Sequence, residues 1–141
     1  LVADKNKLDG LPLLLKQLAL SQSDKLNHHQ VVYRPWGNYR TLVEGSGFKV
    51  KKITVNSGAK LSTQRHQHRA EHWVVVSGVA DVRIDDQVLT LTQDQSCYIA
   101  AKQLHSLANN QQVPLIVIEV QTGVILDEND IERFNDIYGR Y

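Results

Sequence analysis

Between residues 39 and 121 the chain passes through nine short β-rich stretches with no helical repeat among them, a rhythm that leaves few folds open. They are Tyr39–Glu44, Phe48–Asn56, Leu61–Gln64, Trp73–Ser77, Val79–Ile84, Gln87–Thr92, Ser96–Ala100, Ser106–Asn109 and Leu115–Gln121, rich in β-branched and aromatic residues. Turn-forming clusters such as EGSG, NSGA, DDQ and NNQQ lie between them. Strands this close together, without crossover helices, pair antiparallel. The predicted class is therefore all-β, a sandwich or barrel.

Helical patterns flank this region. Leucines at 8, 11, 14, 15 and 18 predict an amphipathic helix over residues 8–20, either docking against a preceding domain or capping this one. Residues 21–30 are polar and aperiodic, which predicts a linker; His28 and His29 within it read as solvated. At the other end, Asp127 is expected to cap a short helix with Ile131, Phe134 and Ile137 on one face and acidic residues in its first turn. Residues 31–141 form the expected β domain.

Composition excludes several functions. Sixteen basic and fifteen acidic side chains nearly cancel, and the basic ones are scattered rather than gathered into a stripe for nucleic acid. The longest apolar stretch, Leu11–Leu20, is too short to cross a membrane and is interrupted by Pro12, Lys16 and Gln17. The single cysteine, Cys97, allows no internal disulfide and fits a reducing, cytoplasmic setting; within SCYIA it reads as a small buried hydrophobe. The chain starts at Leu1, has no methionine and shows no signal-peptide pattern, so the expectation is a piece of a longer polypeptide.

The chemistry gathers in residues 61–78. Gln64, His66 and His68 are spaced two apart, and in an extended strand their side chains share one face. Glu71 follows closely. Imidazoles and a carboxylate facing one way suit a divalent metal ion. His72 alternates away from Glu71 and reads as facing outside the barrel.

Gly58, Gln64, His66, Glu71 and Gly78 fall at the intervals of the first cupin motif, which this stretch resembles, with glutamine in place of the first histidine. The second motif of that family implies a further histidine followed by an asparagine, supplied here by His105 and Asn109 in YIAAKQLHSLAN. Ala100 and Lys102 stand where the family has proline and glycine. The resulting set, Gln64, His66, Glu71 and His105, resembles the zinc site of the phosphomannose isomerases. RPWG (34–37), LSTQRHQHRAEHW (61–73), VVSG (75–78), IEVQTG (118–123) and DIERFNDIYGR (130–140) look like the type II enzymes, the C-terminal cupin domains of bifunctional mannose-6-phosphate isomerase/mannose-1-phosphate guanylyltransferases.

That resemblance implies a cupin-type barrel or jelly roll that binds a divalent metal and interconverts mannose 6-phosphate and fructose 6-phosphate. It also implies an N-terminal guanylyltransferase domain, whose trailing end residues 1–20 would form, and a homodimer. The donor set suits zinc first, with cobalt, manganese or nickel as alternatives. Such an isomerase needs a base to carry a proton between adjacent carbons. His68 is the first candidate, from its expected side of the strand and its pKa class, and Lys102 the second. For the phosphate, Arg133 and Arg140 are candidates by resemblance, and Lys51 and Arg69 by position beside the metal strands. The RPWG step reads as an anchor for the first strand. A non-catalytic cupin module for dimerisation or sugar-phosphate sensing is the competing expectation. An iron oxygenase fits less well, since its sites favour histidine-rich ligation. No nucleotide-binding glycine-rich signature occurs, so the chain alone is not expected to make GDP-mannose.

Overall fold

The computed structural model describes residues 30–140. The helix expected over residues 8–20 and residues 21–29 of the expected linker, with His28 and His29, lie outside the described residues. Within them the strands are β1 (Val31–Arg34), β2 (Gly37–Gly45), β3 (Phe48–Val55), β4 (Thr63–Arg65), β5 (Arg69–Ser77), β6 (Ala80–Ile84), β7 (Gln87–Leu91), β8 (Ser96–Ile99), β9 (His105–Ala108), β10 (Leu115–Gly123) and β11 (Glu132–Phe134). They form two sheets, six-stranded in the order β1-β2-β3-β10-β5-β8 and five-stranded in the order β11-β4-β9-β6-β7. Every pairing of these strands is antiparallel. The all-β expectation holds.

The alternation of β5 and β10 explains the interior. Arg69, Glu71, Trp73 and Val75 of β5 are buried, as are Leu115, Val117, Glu119 and Gln121 of β10. Cross-strand register then sorts this inner face by polarity. Val55 pairs with Leu115, and Val117 lies between Ile53 and Val75; these join Leu107 and Val82 in the apolar core. At the other end Glu119 lies between Lys51 and Trp73, and Gln121 is opposite Glu71. The barrel is therefore dry and apolar at one end and polar at the other.

Two local features frame the polar end. Pro35 and Trp36 form the turn between β1 and β2, and the Trp36 ring is 6% exposed within the core, so RPWG anchors the first hairpin as expected. At the end of β10, Gly123 has φ +156°, and a Cβ there would lie 2.3 Å from the His68 carbonyl oxygen and 2.9 Å from Arg69 Cα. Only glycine lets β10 pass that backbone.

The C-terminal helix expected from the sequence is replaced by a single 3₁₀ turn and a strand. Asp127 does cap, its side chain accepting from the Asn129 amide, but the turn ends at Asp130 and the chain extends into β11. The reason is tertiary. Ile137, on the expected apolar face, is 63% exposed, while Ile131 lines the cavity beside Gln64 and Phe134 packs its ring against the Arg65 guanidinium, so the three do not share one buried face. Pairing of β11 with β4 instead satisfies the backbone, and the acidic side chains of the turn reach basic groups on β3 and around β5.

Candidate metal centre

His66, Glu71 and His105 are all buried and come together, with one ligand atom from each within 4.8 Å of the others. They arrive from different elements. His66 follows the end of β4, Glu71 is the third residue of β5, and His105 opens β9 beside Gln64, its direct partner on β4. Gln64 is half-buried and lines the same cavity as Glu71.

Hydrogen bonds set the tautomers. His66 Nδ1 lies 3.1 Å from the Asp130 carbonyl and His105 Nδ1 lies 2.9 Å from the Gln103 carbonyl. A carbonyl only accepts, so each Nδ1 carries the proton and each Nε2 presents a lone pair inward. There His66 Nε2 stands 3.0 Å from Glu71 Oε1 and His105 Nε2 stands 3.6 Å from Glu71 Oε2. His105 Nε2 is buried without a hydrogen-bond partner. Lone pairs turned on a buried carboxylate favour a cation between them; the Arg69 guanidinium stands 3.5 Å from His66 Nε2, and two imidazoles with a carboxylate are donors a divalent metal takes. The residues fit the group.

The electrostatics agree. Burial pushes the Glu71 carboxyl up, but the neighbouring His66, then His105 and the Arg69 guanidinium, outweigh this and hold it at about 2. Burial depresses His105, favouring the neutral, ligating form. Glu71 is steadied from the side as well, since the Trp73 indole N–H donates to its Oε2 at 3.0 Å and Arg69 Nε donates to its Oε1 at 3.3 Å.

Cations line the cavity next to this set. Lys51, Arg69, Arg133 and Arg140 all border it. Lys51 is 5% exposed and forms a short ion pair with Glu128; burial lowers its pKa, but Glu119 and Glu128 raise it further, so it stays charged. Arg69 also donates from Nη1 to the Asp127 carbonyl at 3.1 Å, and Arg140 is tied through Nε to Asp136 at 3.0 Å.

Two expected catalytic residues are not brought to the cavity. β4 ends at Arg65, so the two-residue alternation that was to carry His68 onto the face of Gln64 and His66 breaks off. The His68 side chain is 49% exposed, with its Nδ1 3.0 Å from Asp130 Oδ1. Lys102 is exposed in the loop before β9 at φ +72°, and its role there is a backbone N–H donated to the His66 carbonyl at 2.7 Å. His72 lies on the outer face, its ring 4.7 Å from that of Tyr98. Cys97 is pushed up to about 11 by burial and then by the charge of Glu71, so it is a thiol rather than a nucleophile. Asn109 is structural, its Nδ2 donating to the Val55 and Val113 carbonyls.

Three side chains not anticipated from the sequence border the site. Glu119 and Gln121 line the cavity, and Asp130 holds the loop that carries His66, by its carbonyl and through carboxylate bonds to the Gln67 and His68 amides. A signal for the first two exists in LIVIEVQTG, where parity with Leu115 and Val117 points both inward.

A buried His–Glu–His cluster at the polar end of two antiparallel sheets defines a cupin-type barrel with a candidate metal centre. A solved double-stranded β-helix protein from Klebsiella pneumoniae shares the fold, with TM-score 0.65 and 16% identity over 79% of this chain and 95% of that one. Residues 21–136 match the family described as mannose-6-phosphate isomerase C-terminal, and the chain belongs to that family. It is 49% identical over 140 residues to the alginate biosynthesis protein AlgA of Pseudomonas putida and 43% identical over 140 residues to a mannose-1-phosphate guanylyltransferase of Escherichia coli. The matches cover 99% of this chain but only 29% of either relative. Among the described residues no helix is long and apolar enough to cross a membrane.

Proposed function

We propose that this chain is a metal-dependent aldose–ketose isomerase domain interconverting mannose 6-phosphate and fructose 6-phosphate. It would be part of a cytoplasmic mannose-1-phosphate guanylyltransferase polypeptide that supplies GDP-mannose for polysaccharide synthesis. The observation that carries the reading is the inward Nε2 pair of His66 and His105 around Glu71, bordered by four cations. Gln64, His66, Glu71 and His105 would hold the metal, zinc first among the candidates. When bound it supplies a Lewis acid for the carbonyl end of an open-chain sugar. Lys51, Arg69, Arg133 and Arg140 would receive the phosphate, whose charge needs buried or convergent cations.

The base is better sought among inward groups than in His68 or Lys102. Glu119 is a buried carboxylate that lines the cavity opposite Lys51, within the inward face that also carries Glu71, which makes it the better-placed candidate. Exposed Val74, Val76 and Tyr98 on the outer face of the six-stranded sheet support a homodimer.

The deciding assay is coupled isomerase turnover of mannose 6-phosphate after chelation, with zinc, cobalt, manganese and nickel added back separately. Metal-restored turnover is expected, without GDP-mannose formation from GTP and mannose 1-phosphate. Tight metal binding with no turnover under any ion would refute the isomerase and leave a non-catalytic sugar-phosphate module.

A further inference from the structure

The inward face of β10 changes character along its length, with Leu115 and Val117 followed by Glu119 and Gln121. Glu119 is fully engaged. It accepts from the Trp73 indole at 3.2 Å and from the Gln121 amide, and it is the direct partner of Lys51 across the β3 pairing. Gln121 is 1% exposed and has committed its amide nitrogen to Glu119. Its carbonyl oxygen, Oε1, is buried and meets no hydrogen-bond donor of the protein. His105 Nε2 is in the same condition, and the metal donor set explains it. Nothing in that set explains Gln121.

An unpartnered buried carbonyl carries a substantial desolvation cost, while a leucine or valine here would simply continue the apolar pattern. The position therefore serves something that arrives from outside. A carbonyl oxygen takes an O–H or N–H donor or a cation; the candidate metal donors already gather at His66, Glu71 and His105, which leaves a donor as the group that Gln121 calls for. Register places it further: Gln121 sits opposite Glu71 and borders the cavity shared with Gln64 and Arg69. The donor therefore belongs to the part of a ligand that lies beside the metal set.

We propose that Gln121 is a substrate-contacting, specificity-determining residue whose carbonyl oxygen accepts a hydroxyl O–H from the polyol chain of the sugar phosphate, on the Glu71 side of the cavity. This rests on the isomerase reading. By accepting the Gln121 amide N–H, Glu119 leaves the carbonyl end of that side chain as the group free to meet the ligand. A chain lacking that hydroxyl leaves the oxygen orphaned again and is rejected, whereas the phosphate contacts are unaffected.

The test uses the zinc-loaded chain and calorimetric binding of a hexitol phosphate, a non-isomerisable probe, alongside its 1-deoxy and 2-deoxy analogues and inorganic phosphate. Wild type should bind at least one deoxy analogue about tenfold or more weakly than the parent, the worth of one hydrogen bond to a buried group. Gln121→Met, close in volume but without the carbonyl, should bind the parent as weakly as the deoxy analogue while keeping its affinity for inorganic phosphate and zinc. Equal wild-type affinity for the parent and both analogues overturns the proposal, even if Gln121→Met fails to fold. Loss of phosphate or zinc binding in a folded Gln121→Met also overturns it, by showing a purely structural role. If wild type binds no hexitol phosphate, the proposal fails. If the hydroxyl discrimination is present but mannose 6-phosphate is not turned over, the isomerase reading fails and the Gln121 contact stands.

Discussion

The Trp73 indole N–H is the single donor between the two buried carboxylates, 3.0 Å from Glu71 Oε2 and 3.2 Å from Glu119 Oε2. Trp73→Phe keeps an aromatic ring at this site but removes the donor. A hydrogen bond to a charged group is worth about 1.5–3 kcal/mol, and because one hydrogen is shared between two acceptors we count it once. The smaller ring leaves unfilled space where Trp73 is 1% exposed, adding about 1 kcal/mol. The expected loss is about 3 kcal/mol, or a fall in Tm of about 12 °C for a domain of this size. Urea and thermal unfolding of the metal-free protein measure it, with Trp36, the other tryptophan, as the fluorescent probe. Zinc affinity should fall as well, since Glu71 loses the group that orients its second oxygen. A stability loss below about 1 kcal/mol with unchanged zinc affinity would refute the claim that the indole tethers the site.

Other perturbations separate the parts of the centre. Gly123→Ala forces a Cβ to 2.3 Å from the His68 carbonyl in a left-handed backbone region, so a loss of about 3 kcal/mol or more is expected by chemical denaturation. Asp130→Ala removes the carboxylate that accepts from the Gln67 and His68 amides and the His68 ring, freeing the loop that carries His66. Zinc affinity should fall about tenfold in a chelator competition, and less in His68→Ala, where the backbone bonds remain. Glu119 gives a pH signature. Its folded pKa of about 7 lies above the ordinary 4.5, so the folded state holds a proton that the unfolded chain has lost. Stability of the metal-free protein should therefore fall as pH rises from 4.5 to 7, by about 3 kcal/mol in all, and Glu119→Gln should flatten that slope. Unfolding curves at a series of pH values decide it.

The strand content was legible because turns and β-branched runs alternate plainly between residues 39 and 121, and the observed boundaries shift by only a few residues at most of them. β1 and β11 were not read, for the same reason at both ends: four residues and three residues carry too little pattern, and each exists because a neighbour supplies its hydrogen bonds. Ile131, Phe134 and Ile137 do have helical spacing, but spacing cannot report that the edge of β4 stands open to pair with residues 132–134. The gathering of His66 with Glu71 was legible from spacing, and that of His105 from family resemblance. His68 misled because a period of two holds only while a strand lasts, and β4 stops one residue before His66. Glu119 and Gln121 were visible as inward positions, yet nothing in a strand's alternation marks which polar residue faces a cavity.

The pairing of β4 with β11 bears on how such a site comes into being during synthesis. β4 holds Gln64 and touches β9 through one residue pair, Gln64 with His105, while Arg133 pairs with Gln64 from the other side. His66, Glu71 and His105 all leave the ribosome well before Arg133 does. Until the last strand arrives, β4 is a three-residue edge, and His66 lacks the Asp130 carbonyl that fixes its ring. Metal loading of such a centre would thereby wait for the last strand, and a chain interrupted before Phe134 would carry nearly the whole core without the contacts that fix His66.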